Sequence, residues 1–198
     1  MRIFISGPSG VGKSTIIREI LSLNQDLVLS ISYTTRTPRP QEKHGREYFF
    51  IGRDEFESMI DRGDFLEWAC VHDRFYGTSL KWIESQESLG KDILFDIDVQ
   101  GVRQAQEKGS PGTYILIIPP TMEDLRARLS GRGTEDRDTI DLRLKNAREE
   151  LKNWGLYEYL VINDKLEDAV QKVQGIISSA RCSRSEIIGR IPWLQKIE

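Results

Sequence analysis

The chain has 198 residues, 38% of them hydrophobic and 30% charged, with a formal net charge of −3. That length suits one α/β core with an insertion and is short for two independent domains. Its apolar runs fall short of a bilayer-crossing helix, and the acidic balance argues against wholesale binding to a nucleic-acid backbone, so recognition of phosphate is expected to be local.

The N-terminus enters a strand-like run, Arg2–Ser6, directly, with no room for a signal or transit peptide. With Cys70 and Cys182 far apart and outside any CxxC or Cys/His cluster, this predicts free thiols and a cytoplasmic protein. The strand leads into Gly7-Pro8-Ser9-Gly10-Val11-Gly12-Lys13-Ser14, a Walker A pattern standing between a strand and an amphipathic helix that carries Ile16, Ile17 and Ile20. Glycines let backbone N–H groups converge on phosphate oxygens, and the helix N-terminus adds partial positive charge. Lys13 can reach the β- and γ-phosphates, and the Ser14 hydroxyl can ligate Mg²⁺. A glycine-rich turn that binds nothing would need neither the lysine nor the hydroxyl.

From Ser32 to Thr78 the rhythm becomes aromatic and turn-rich, which predicts an antiparallel insertion with one short helix over 55–62, begun by Asp54 and Glu57 and stopped by Gly63. Apolar runs at Asp92–Ile97, Thr113–Ile118 and Tyr159–Asn163, each followed by an amphipathic segment, predict a parallel sheet flanked by helices. Asp96 and Asp98 close the second core strand at its carboxyl edge, where one could stand near Mg²⁺ and the other near a substrate; capping the helix from Val99 competes as a role for Asp98. Gly90 reads as a helix stop, and Thr121-x-x-Asp124 as a helix start. The polar stretch from Ser130 to Arg137 reads as a mobile lid between two helices. Beyond Cys182, the apolar set Ile187, Ile188, Ile191, Trp193 and Leu194 predicts a tail that docks.

The P-loop is followed, in order, by Ser32-Tyr33-Thr34-Thr35-Arg36-Thr37-Pro38-Arg39-Pro40, Gly45-Arg46-Glu47-Tyr48, Phe65-Leu66-Glu67-Trp68-Ala69, Tyr76-Gly77-Thr78, Asp96-Ile97-Asp98-Val99-Gln100-Gly101, Gly131-Arg132-Gly133-Thr134-Glu135 and Val161-Ile162-Asn163-Asp164. This ordered set resembles the guanylate kinases, P-loop enzymes that pass the γ-phosphoryl group of ATP to GMP or dGMP with Mg²⁺. The resemblance implies one domain over residues 1–181, with its core at 1–31 and 79–181, a GMP-binding lobe at about 32–78, a lid at about 130–138, and a tail at 182–198. It implies ATP contacts from Gly7 to Ser14, Thr15 and Asn163, with helix capping an alternative for Asn163. Arg36, Arg39, Tyr48 and Tyr76 would hold the GMP phosphate, and Ser32, Glu67, Thr78 and Asp98 would read guanine. Ser14 and Asp96 would serve the metal. Lys13, Arg36, Arg132 and Arg143 would be catalytic, with Arg128, Arg137 and Arg148 left to a charged helix face.

Guanidinium forks match phosphate oxygens, and carboxylates match the N1–H and amine donors of guanine. Alone, Arg36 and Arg39 read as a solvated turn, and Tyr48 and Tyr76 as packing. Thr78 stands where many relatives carry serine, and Tyr33 replaces a residue that is often small. His44 and His72 are expected at the surface or in the lobe. ATP and GMP are the expected partners, with no nucleic acid or membrane. A small P-loop kinase for another phosphorylated acceptor would lose Glu67 and Asp98, and a non-catalytic scaffold module would not need Lys13 or the lid arginines.

Overall fold

The structure is a computed structural model that describes residues 1–71, 73–131, 136–191 and 193, so His72, Arg132, Thr134, Glu135 and Leu194 lie outside the described residues. In chain order the elements are β1 (Arg2–Ser6), α1 (Lys13–Leu23), β2 (Leu27–Leu29), β3 (Tyr33–Thr34), β4 (Phe49–Phe50), α2 (Arg53–Asp61), β5 (Phe65–Val71), β6 (Arg74–Ser79), α3 (Leu80–Ser88), β7 (Asp92–Asp96), α4 (Val99–Glu107), β8 (Thr113–Ile118), α5 (Met122–Ser130), α6 (Arg137–Leu151), a 3₁₀ turn (Trp154–Leu156), β9 (Tyr159–Ile162), α7 (Leu166–Arg181) and α8 (Arg184–Arg190).

Five parallel strands form the main sheet in the order β2-β7-β1-β8-β9, with β1 at its centre. A central parallel strand is covered on both faces, which is why β1 is apolar throughout its middle. Ile3 and Ile5 pack with Ile16 and Ile20 of α1 and Val173 and Ile177 of α7, whereas Phe4 faces Ile83, Val102 and Tyr157 on the other side. There Phe4 stacks on Phe95 at 4.5 Å and on Tyr114 at 4.4 Å, its register partners in the neighbouring strands. Each such fully buried side chain contributes about 1.5–3 kcal/mol, which fixes the strand order around the loop that follows β1.

The insertion carries its own sheet, β4-β3-β6-β5. It is antiparallel along β3, β6 and β5, but β4 joins β3 in parallel, because the proline-bearing loop between them returns the chain to the same end of the sheet. Its small core gathers Phe56, Met59 and Phe65. Tyr33, whose ring had no assigned role, closes this core by stacking on Phe49 at 4.7 Å and meeting Phe65 edge-on. The lobe does not detach cleanly, since Leu66, next to Phe65, belongs to the main core with Ile93 and Phe95.

The helix-start expectations hold for Thr121, whose Oγ1 accepts the Asp124 N–H at 3.0 Å. They fail by two residues for α2, which begins at Arg53 after Gly52 and has no side-chain cap. Gly63 and Gly90 end their helices at φ 72° and 71°, which favours glycine over residues bearing a Cβ. Strand β2 was not expected; three residues carry too short a pattern to register. The tail forms α8, with Ile187 and Ile188 half-buried on it and Ile191 half-buried at its C-cap, whereas Trp193 stays 61% exposed. Both cysteines are free and exposed, and among the described residues no helix is long and apolar enough to cross a membrane.

Candidate active site

The loop after β1 turns through Val11 N–H to Pro8 C=O at 3.1 Å and enters α1 at Lys13. Gly12 holds φ 96°, and a Cβ there would stand 2.4 Å from the Asn163 amide nitrogen. Asn163, 5% exposed, donates from Nδ2 to the Val11 carbonyl at 2.7 Å. It does not cap α7, whose N-cap is Lys165. Arg128 was expected on a solvated face, yet its guanidinium donates to Val11 C=O at 3.3 Å and to Asn163 C=O at 2.7 Å. Sequence spacing hides this because α5 meets the loop only through the fold. A planar trans peptide that fixes the Val11 carbonyl also fixes the Gly12 N–H in the opposite direction, so this clamp orients a donor of the loop.

Lys13 Nζ stands 2.5 Å from Asp96 Oδ1 at the carboxyl end of β7, the neighbour of β1. Strand β7 ends at Asp96, one residue earlier than expected, so Asp98 is not on the strand; it caps α4 by accepting the Gly101 N–H at 2.9 Å. Both roles considered for Asp98 are open to it, because its carboxylate also lines the adjoining cleft. On α6, Arg143 Nη1 donates to Ser9 Oγ at 3.2 Å, bringing that helix face over the loop. Glu150, on the same face seven residues on, is half-buried; burial raises its carboxyl pKa against the pull of Lys13. Its spacing from Arg143 was the one available signal. Arg137 and Arg148 are exposed, as expected.

Beside Asp96 opens a cleft of about 200 Å³ lined by Ser32, Tyr48, Glu67, Ala69, Val71, Tyr76, Asp96, Ile97 and Asp98. Alternate residues of β5 supply Glu67, Ala69 and Val71, the strand periodicity that the text around Glu67 leaves implicit. Thr78, expected to touch the base, is fully buried behind the carboxylate and donates its hydroxyl to Glu67 Oε1 at 2.6 Å. Arg36 lies over the Tyr48 ring at 5.4 Å from its centroid. Its guanidinium is gripped by Glu42 at 2.8 and 2.9 Å, and the same carboxylate accepts the Arg39 N–H at 2.8 Å. Glu42 was missed, although an acid within six residues of two arginines in a proline-rich turn is a recognisable arrangement. Arg39 itself is exposed, and His44 is exposed beside Phe49.

Glu67 is 7% exposed, and its carboxyl is pushed up to about 7, chiefly by burial; the Thr78 hydroxyl opposes the shift and the negative charge of Asp98 adds to it. A carboxyl raised above its ordinary value of 4.5 stabilises the fold fully below that value and loses the contribution as pH rises through about 7. The loss amounts to something on the order of 3 kcal/mol. Melting temperature should therefore fall between pH 4.5 and 8 more steeply in the wild type than in Glu67→Gln, measured without ligand. Parallel profiles would mean that Glu67 ionises at its ordinary value.

The guanylate kinase family model matches residues 1–180. The chain is 43% identical to the guanylate kinase of Geobacter sulfurreducens over 187 residues, spanning 94% of this chain and 92% of that one. It is 46% identical to that of Thermotoga maritima over 177 residues, spanning 89% and 86%. The solved guanylate kinase of Anaplasma phagocytophilum superposes with a TM-score of 0.70 at 29% identity, covering 93% of this chain and 87% of that one. With its P-loop, its carboxylate-lined cleft and these matches along nearly its whole length, the chain belongs to the guanylate kinase family.

Proposed function

We propose that the chain transfers the γ-phosphoryl group of ATP to GMP, or dGMP, yielding ADP and GDP. One observation carries the reading: Asp96 belongs to two sites at once, paired to Lys13 of the P-loop and lining the cleft that contains Glu67 and Asp98. A triphosphate on the loop and a monophosphate acceptor in the cleft would then present their phosphates to each other.

In this reading Gly7 to Thr15 cradle the donor phosphates, and Asn163 serves the adenine side while clamping Val11. Arg36, Arg39, Tyr48 and Tyr76 hold the acceptor phosphate, with Glu42 presenting Arg36. Glu67 and Asp98 accept from guanine, Ser32 completes the base site, and Thr78 acts through Glu67. Residues 32–78 and the segment 130–138 would close over the nucleotides, excluding water that would otherwise hydrolyse ATP. The exposed Ser14 hydroxyl and the Asp96 carboxylate are hard oxygen donors of the kind Mg²⁺ takes. Bound there, Mg²⁺ would supply positive charge against the donor phosphates.

Phosphoryl transfer through a loose transition state asks mainly for alignment and charge neutralisation. The acceptor phosphate, with a second pKa of about 6, is already largely a dianion at neutral pH. The reaction then needs no general base, and neither histidine is recruited. Lys13, Arg132 and Arg143 would offset charge on the migrating group.

Contacts that strengthen only in transfer affect kcat more than ground-state affinity. Arg143→Ala should lower kcat by roughly 10- to 100-fold with a smaller change in KM for ATP, as steady-state kinetics would read. A rise in KM alone would make Arg143 a binding residue. The reading as a whole is tested by coupled ADP-release assays against GMP, dGMP, IMP, AMP, CMP and UMP; no turnover with guanine nucleotides would end it.

A further inference from the structure

Strand β5 is the edge of the second sheet, and at Trp68 a side chain of the main core occupies that edge. The Gln104 carboxamide on α4 accepts the Trp68 N–H at 3.0 Å and donates to the Trp68 carbonyl at 2.7 Å, the two bonds a neighbouring strand would make. The same helix face approaches β5 at two further points. Lys108 Nζ donates to the Phe65 carbonyl, and a Cβ on Gly101 would lie 3.2 Å from Glu67 Oε2.

The pairing of β5 with β6 shifts register between Phe65 and Glu67, so the ladder is interrupted on the N-terminal side of Glu67, where the helix contacts take over. Side chains alternate along the strand: Trp68 packs with the lobe core beside Phe75, and Glu67 lines the cleft. Holding the Trp68 backbone therefore holds the adjacent carboxylate. Asp98, the other carboxylate of the cleft, is the N-cap of the helix that carries Gln104.

We propose that Gln104 is a positioning residue for base recognition, clamping β5 onto α4 so that Glu67 and Asp98 keep the spacing at which both meet one guanine. The proposal rests on the reading of those two carboxylates as base contacts. A purine with both the N1–H and the 2-amine spans the pair, whereas IMP, lacking the amine, does not depend on the spacing in the same way. Loss of the clamp should thus harm GMP more than IMP.

The experiment measures kcat/KM for GMP and IMP, and KM for ATP, in the wild type, Gln104→Leu and Gln104→Met. Methionine matches the length of glutamine without its hydrogen bonds and serves if the leucine variant does not fold. Either variant should narrow the GMP:IMP ratio by about tenfold with KM for ATP nearly unchanged, and should narrow it no further in a Glu67→Ala background. A ratio at the wild-type value, or equal losses for GMP and IMP, would overturn the proposal and leave Gln104 as structural support. A wild type with no preference for GMP over AMP would instead remove the reading on which the proposal rests.

Discussion

Lys13→Ala should lower kcat by at least roughly 10²–10³-fold while leaving GMP affinity nearly unchanged. Lys13 stands at the first turn of α1, where it would meet the donor phosphates, and the residues assigned to the acceptor come from β5, β6, the loops flanking β3 and β4, and the N-cap of α4. The variant also leaves Asp96 without its partner at 2.5 Å, but that carboxylate is 37% exposed, so water replaces the ammonium at small cost to folding. Loss of turnover in this variant is therefore a loss of charge at the transferring group and not of structure. Calorimetric titration with GMP, paired with steady-state rates, separates the two sites. Near-normal turnover in the folded variant would remove the P-loop from the mechanism, and loss of GMP affinity would mean that the acceptor site depends on Lys13.

What the sequence makes legible follows the range of the interactions. The P-loop is a local motif, so Gly10, Gly12, Lys13 and Ser14 can be read from one octapeptide, and the structure supplies the reason for Gly12 in the close approach of Asn163. The main strands are legible because parallel strands buried on both faces are continuous apolar runs. The Lys13–Asp96 pair joins the start of α1, just after β1, to the end of the neighbouring parallel strand β7, and the position of Asp96 at the end of an apolar run already pointed to that edge. Side chains that act on another segment's backbone leave no such pattern. Arg128 on the Val11 carbonyl and Gln104 on Trp68 look like ordinary helix-surface residues until the helices are docked. Thr78 shows the same limit within one site: the resemblance implies a base contact, and only the fold shows that its hydroxyl is fully buried and donates to Glu67.

Base choice is where the largest discrimination is expected. In the cleft, Glu67 has one oxygen engaged by Thr78 at 2.6 Å, and it is too buried for water to substitute freely for a missing partner. GMP offers the Glu67–Asp98 pair its N1–H and 2-amine as donors. AMP has neither, so its entry would leave a desolvated acceptor unpaired as the lobe closes, and sites of this kind reject such analogues by up to roughly 10⁴–10⁵-fold. GMP should accordingly exceed AMP, CMP and UMP by a wide margin in kcat/KM, with IMP intermediate because it keeps N1–H and lacks the amine. Glu67→Ala should collapse the advantage chiefly by damaging GMP use. Asp98→Asn, which keeps an oxygen to cap α4 but loses the charge, should narrow the gap between GMP and IMP if Asp98 reads the amine. The measurement is kcat/KM for GMP, IMP and AMP in the wild type and both variants. Comparable wild-type values for AMP and GMP would sink the base assignment even with the P-loop chemistry intact, and a GMP advantage surviving Glu67→Ala would move recognition to the remaining residues of the cleft.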